Sequence, residues 1–232
     1  MSLFNKIDRA FGKPVDPKKK IGTFVIDKKA EVDSLKQYGK DFAVANETLR
    51  DWAKINGEDV SCSMDAIGEL NVEIKKLLDN YIKSLNTQIN EFKEIKHSEK
   101  NLKVLKSNLK ELSQKVDENF VKEKNTLEIV EENYVKAKNE YELKSNEHDA
   151  FVRDKLRKSY VHQFDALKEL AQKLDILATF GKHAANQIPL GFIPVDSEKP
   201  EFKGKETLKE IVTDAKEALN LWSMDDEPEF EE

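Results

Sequence analysis

The fold is decided by the stretch IGELNVEIKKLLDNYIKSLNTQINEF, residues 67–92. Its apolar residues recur at steps of three and four, which places them on one face of a helix. The same spacing resumes after residue 100 and, beyond a polar break, continues to Leu177. The apolar residues that follow this spacing are Leu70, Ile74, Leu77, Tyr81, Leu85, Ile89 and Phe92; Leu102, Leu105, Leu109, Leu112 and Val116; Leu127, Val130, Tyr134, Ala137 and Tyr141; and, more loosely, Phe151, Leu156, Tyr160, Phe164, Leu167, Leu174 and Leu177. Two such stripes of about 55–60 residues would each be roughly 80–90 Å long. They must pack against each other or against a second chain.

The composition suits long, solvated helices. Charged residues make up 36% of the 232 residues, and only eight residues are glycine. The single cysteine, Cys62, excludes an internal disulfide and fits a reducing compartment. No apolar run approaches the ~20 residues that span a bilayer, and the start MSLFNKIDRAFGK is too broken for a secretory signal. We therefore expect one elongated, all-α, soluble and cytoplasmic domain.

Capping and breaking residues divide the chain into four predicted helices. The first helix covers 28–55. The second begins at an N-cap, either Asp59 or Ser61, and reaches about Asn119. After a turn within 118–125 the third helix runs to about Asn186, and the fourth covers 206–222. Asn56-Gly57 stops the first helix, and prolines and glycines make 188–204 a loop. Three long helices followed by a short one is the shape of a BAR-type coiled-coil module. We expect that module to cover 28–224, before an acidic tail at 225–232.

The N-terminal segment, 1–27, is predicted to be a short amphipathic helix followed by a basic, extended linker over 12–27. Its candidate membrane-insertion or assembly residues are Leu3, Phe4, Ile7, Phe11, Lys13, Lys18, Lys19 and Lys20. An apolar face followed by lysines suits shallow insertion into an anionic membrane. The alternatives are a helix that packs back onto the dimer, or a disordered tail. Ser2 stands where N-myristoylation needs glycine.

Charge is unevenly distributed along the chain. The formal net charge of −6 argues against a bulk nucleic-acid binder. Residues 83–115 nevertheless hold eight lysines against four glutamates, a local balance of +4. An acidic protein with a localised basic stretch suits a directed contact with an anionic surface.

Three stretches resemble the Pil/Lsp family of fungal eisosome core proteins. They are LRKSYVHQFDALKELAQKLDILATFGK at 156–182, DAKEALNLW at 214–222 and LRDWAKINGEDVSCSMDAIGEL at 49–70. The resemblance extends over about residues 40–225. It implies a BAR fold, a crescent-shaped homodimer, and self-assembly into a lattice on the inner face of the plasma membrane.

The resemblance also implies binding to phosphatidylinositol 4,5-bisphosphate through basic residues on a concave face. The family's basic-x-x-basic motif after an apolar residue matches Phe92-Lys93-Glu94-Ile95-Lys96, so Lys93 and Lys96 take that role. Residues three apart share a helix face. Lys100 and Lys103 of the same basic stretch complete the candidate lipid-binding set. The competing interpretation is a solvated face whose glutamates partly cancel the lysines.

The sequence offers little for catalysis. The four histidines are scattered without metal-ligand spacing, and no phosphate-binding loop or nucleophile motif occurs. We therefore expect no enzyme activity, no metal and no cofactor, and we interpret Trp52 and Trp222 as core residues. The alternative to a membrane-sculpting scaffold is a cytoskeletal or tethering coiled coil that binds a protein and not lipid.

Overall fold

The computed structural model describes residues 21–119, 124–190 and 202–223. These segments form four helices: α1 (Ile21–Ala53), α2 (Glu58–Asn119), α3 (Lys124–Ala185) and α4 (Lys205–Leu221). Within the described segments there is no strand. The all-α prediction is confirmed, and the ends of α2, α3 and α4 lie within a few residues of their predicted positions.

The beginning of α1 differs from the prediction. Residues 21–27 are helical rather than part of an extended linker, so α1 starts seven residues before the predicted Lys28. The reason is tertiary packing: the Phe24 ring packs against the tilted ring of Phe92 on α2, with 4.4 Å between ring centroids, and Val25 is buried. Gly39 is buried within a continuous helix.

A tight connection joins α1 to α2. Gly57 has φ +118°, a left-handed conformation that glycine adopts without steric cost, and this confirms the predicted stop at Asn56-Gly57. Helix α2 then begins at once, and the Ser61 amide donates to the Gly57 carbonyl (2.9 Å). Asp59 and Ser61 therefore lie inside the first turn, and their prediction as N-caps is wrong.

The described chain divides into two compact units. Unit 1 consists of Met1–Ala30 and Thr87–Tyr160. In it α2 and α3 run antiparallel, since Glu94 pairs with Lys155 while Ser98 pairs with His148. The chain therefore reverses between Asn119 and Lys124, and the residues between these two helix ends lie outside the described part. The core residues of unit 1 are Val25, Ile89, Phe92 and Ile95.

Unit 2 consists of Glu31–Asn86 and Val161–Glu232, and it packs four helices together. Its main core cluster is formed by Ala66, Leu70, Leu177, Ala184, Leu208, Val212 and Ala215. Helix α4 buries one face there, and two ion pairs tie it to α2, Lys205–Glu58 and Lys216–Glu69. Both pairs are exposed, so each contributes at most about 1 kcal/mol, and burial of the apolar face holds α4 in place.

Candidate functional site

The four candidate lipid-binding lysines lie on one exposed strip of α2 in unit 1. Lys93, Lys96, Lys100 and Lys103 follow each other at steps of three, four and three, and each is solvent-exposed. At roughly 100° per residue these steps place the four side chains within about a quarter-turn of one another. We call this set the lysine stripe. Such a row can contact a flat or gently curved anionic surface along about 15 Å of helix.

The helix beneath the stripe is anchored by aromatic packing. Phe92 is buried. Its ring packs against Phe24 of α1 in a tilted arrangement at 4.4 Å and meets the Tyr160 ring of α3 edge-on at 6.2 Å. Ile95, between the first two lysines, is also buried. Because Phe92 and Ile95 face inward, the lysines beside them are held on the outer face of a fixed helix.

Lys96 has a close neighbour that sequence reasoning did not anticipate. A Cβ added to Gly22 would lie 3.2 Å from Lys96 Cε and 3.3 Å from its Nζ. The aliphatic stem of Lys96 therefore crosses the first turn of α1 where that turn carries no side chain. The contact depends on α1 beginning at Ile21, which the sequence did not predict.

Two of the neighbouring glutamates, Glu91 and Glu94, are associated with α3 rather than with the lysine stripe. Glu94 accepts an ion pair from Lys155 of α3 at 2.8 Å. The hydrogen bond to Glu94 raises the pKa of Lys155, desolvation opposes that rise, and the charges of Glu94 and Glu91 add to it. Glu91 is half-buried. Two of the acids expected to cancel the lysines therefore face α3 instead.

The lysines of the stripe are not paired with carboxylates in the described part of the chain. Lys93 Nζ donates to the neutral Oδ1 of Asn90 at 2.8 Å. Among the described residues, no carboxylate forms an ion pair with any of the four lysines. This matters because an ion pair at this position would have to break before an anionic ligand could bind.

A surface cleft of about 630 Å³ opens between α2 and α3 in the same unit. Its floor is apolar, with Leu102, Leu105 and Phe151, and the Oγ of Ser98 hydrogen-bonds Nδ1 of His148 at 2.8 Å. Which of the two groups donates depends on the histidine tautomer. The pair links the two helices across the cleft.

Unit 2 exposes apolar side chains that the sequence interpretation placed inside. Trp52 is 53% exposed, so its prediction as a core residue is wrong, and Leu49 beside it is 44% exposed. Trp222 is half-buried, and its ring lies 4.4 Å from the Nζ of Lys173. On α3, Phe164 and Leu167 are also exposed. The sequence shows the heptad spacing of these residues. It does not show which of the apolar stripes are buried within a single chain.

Other predicted features lie outside the described residues or carry no site. The N-terminal set, Leu3, Phe4, Ile7, Phe11, Lys13, Lys18, Lys19 and Lys20, falls outside the described part of the chain. Within 21–119, 124–190 and 202–223, no group of His, Cys, Asp and Glu could hold a metal ion. None of the helices described has an apolar stretch long enough to cross a bilayer.

The described chain is an all-α helical bundle that carries a lysine stripe and exposed apolar side chains. The chain belongs to the eisosome component family: the profile described as "Eisosome component PIL1" matches residues 4–225. That family is a structural one, and no enzyme is implied by membership.

Individual relatives agree with this assignment. The chain is 23% identical over 209 residues to sphingolipid long chain base-responsive protein LSP1 of Saccharomyces cerevisiae, covering 89% of this chain and 61% of that protein. It is 25% identical over 183 residues to PIL1 of the same yeast, covering 78% and 54%. Over 70 residues it is 37% identical to a probable pil1 protein of Schizosaccharomyces pombe, covering 30% and 20%. The chain thus spans little more than half the length of the two budding-yeast relatives.

Proposed function

We propose that this chain is a membrane-sculpting eisosome scaffold. It acts as a BAR-type homodimer, peripheral on the cytoplasmic face of the plasma membrane, and binds phosphoinositide-containing bilayers through Lys93, Lys96, Lys100 and Lys103. Dimers then assemble into a lattice. The observation that carries this proposal is the lysine stripe, whose four lysines form no ion pair with a carboxylate of the described residues.

The mechanism is the addition of many weak contacts. Each lysine near an anionic membrane contributes about 1 kcal/mol, and salt screens charges beyond about 8 Å at physiological ionic strength. One stripe therefore binds weakly. A dimer presents two stripes and an array presents many, so affinity arises from multivalency. Lysine, a hydrated point charge on a flexible stem, suits exchangeable contacts of this kind.

Self-association is supported by the exposed apolar residues of unit 2. Phe164 is 61% exposed and Leu167 is 40% exposed, at heptad spacing on α3. Exposed apolar rows at such spacing are the usual seam between helices of two chains. We propose that a second copy covers them.

The test is flotation with vesicles that contain or lack phosphatidylinositol 4,5-bisphosphate. Lys93→Glu with Lys96→Glu should abolish binding while leaving helicity and dimerisation intact. The matched control is Lys136→Glu with Lys144→Glu, which changes the net charge equally in the same unit at lysines that pair with Glu132 and Glu147.

Three results can be distinguished. Loss in the stripe variant alone supports the proposal. Equal loss in both variants means that only net charge matters, which contradicts a role for the stripe. If the wild-type protein binds no vesicle, lipid binding is contradicted and the alternative, a coiled-coil tether that binds a protein partner, takes its place.

A further inference from the structure

Helix α1 has an unusual distribution of polarity in unit 2. Its inner seam, which faces α2, follows a strict seven-residue repeat: Val32, Gly39, Asn46 and Ala53, all buried. Only Val32 in this row is a sizeable apolar residue. The inner seam of α1 is therefore poor in the bulk that normally holds a helix onto a core.

A second, mostly apolar row of α1 lies on a different strip. Tyr38, Phe42, Ala45, Leu49 and Trp52 follow at steps of four, three, four and three. Tyr38, Leu49 and Trp52 are 58%, 44% and 53% exposed, and Phe42 is half-buried with its ring stacked near Tyr38. We call this row the outer stripe. At roughly 100° per residue its centre lies about a quarter-turn from the inner seam.

Polar contacts hold α1 in this orientation. Nδ2 of buried Asn46 donates to the carbonyl of Gly68 on α2 at 3.2 Å, and Nδ2 of Asn71 donates to Oδ1 of Asn46 at 3.0 Å. One turn later, Arg50 Nε donates to Asp65 Oδ1 at 2.9 Å. The Arg50 stem covers Gly68, where an added Cβ would lie 2.5 Å from Arg50 Cδ. The pKa of Arg50 is raised, chiefly by the hydrogen bond to Asp65.

We infer that this polar seam is a rotational lock, which keeps the outer stripe of α1 turned outward for a second copy of this chain. A buried asparagine at a heptad core position is a known way to specify helix register and orientation at some cost in stability. If α1 turned by a quarter-turn, it would bury its own aromatics, but Asn46 and Arg50 would lose their partners. The inference rests on the self-association in the proposed function. It adds that the polar seam of α1 determines which surface of this helix is available for that contact.

A second copy is the occupant that the surfaces favour. The 3-4 spacing of the outer stripe is that of a helix–helix seam, and the same unit carries a second exposed heptad row on α3. A two-fold dimer lets both rows be covered by the same chain. At 150–250 Å² per aromatic side chain, Tyr38 and Trp52 each expose roughly 100 Å². That is a fraction of the about 800 Å² per partner of a stable interface, so the α3 row must take part.

The test removes the lock and leaves the outer stripe intact. The variant is Asn46→Leu, Arg50→Leu and Asn71→Leu, in a Trp222→Phe background so that Trp52 is the sole tryptophan. The control, Lys36→Leu with Lys40→Leu in the same background, adds leucine to α1 away from both rows. Dimer affinity is measured by sedimentation, and the exposure of Trp52 by iodide quenching at monomeric dilution.

We expect the lock variant to stay helical, to dimerise at least tenfold more weakly, and to show at least twofold less quenching of Trp52 than the background protein. The control should match the background protein in both. Unchanged affinity, or weaker affinity with unchanged quenching, overturns the lock. An unfolded variant overturns it too, because the inference requires that α1 has another apolar packing available. A background protein that is monomeric at every concentration instead overturns the proposed self-association.

Discussion

Replacing Phe92 by alanine should detach the start of α1 from unit 1. Phe92 is 3% exposed, and its ring contacts Phe24 at 4.4 Å and Tyr160 at 6.2 Å. A buried Phe→Ala change costs about 3–5 kcal/mol. This figure includes two aromatic contacts of about 0.5–1.5 kcal/mol each. In the described part of α1 before Glu31, Val25 is the sole buried hydrophobic anchor that remains. The loss should therefore fall largely on residues 21–30.

Amide hydrogen exchange resolves this loss by segment. If local opening of residues 21–30 becomes easier by about 3–5 kcal/mol, their exchange should accelerate by on the order of 10²–10³-fold, since each 1.4 kcal/mol is a factor of ten. The matched control is Leu177→Ala, which empties the core of unit 2 and should accelerate exchange in α4 instead. Unchanged protection of 21–30 in the Phe92 variant would refute the reasoning, as would the same exchange pattern in both variants.

Three further outcomes are expected. Gly57→Ala should destabilise the protein by about 1 kcal/mol or more, because Gly57 has a positive φ. Gly181→Ala should stabilise it by up to about 1 kcal/mol, because a Cβ added there meets nothing within 4 Å. Both changes in the free energy of unfolding are measured by chemical denaturation. Trp222→Ala removes a ring 4.4 Å from a lysine ammonium and should cost about 0.5–2 kcal/mol in the same assay. Lys155→Met should release Glu94 as a counter-charge and weaken vesicle binding without a change in helicity; unaltered flotation would contradict this.

The long helices were predictable because their signal is local. Leu102, Leu105 and Leu109 are spaced for one face of a helix whatever packs against them, and all three are half-buried as expected. Likewise Asn56-Gly57 stops α1 because of backbone geometry at a single residue. These features need no knowledge of the tertiary partner.

The features that were missed depend on packing between distant segments. Residues 21–27 are helical because Phe24 meets Phe92, 68 positions later. Trp52 is exposed, whereas buried Asn46 and the small side chains of its row face α2. The expectation that aromatic residues are buried fails here because α1 carries two rows at heptad spacing. The more apolar row is the outer stripe, which is exposed, and the row that packs against α2 is the inner seam. The lysines of the stripe were proposed from the family resemblance and from the basic stretch around them, but the pairing of Glu94 with Lys155 needed the structure.

The position of Cys62 gives this chain an intrinsic reporter of its own opening. It is the single thiol in the sequence, and it is packed at the edge of the cluster formed where α4 covers α2 and α3. Packing against that cluster slows the access of a thiol reagent to a partly buried cysteine, and local opening speeds it. A change in the labelling rate therefore reports a change in the packing or opening of this cluster, with no introduced probe. If this rate is measured while vesicles or a second copy bind, it shows whether binding elsewhere on the chain reduces the opening of the cluster around Cys62.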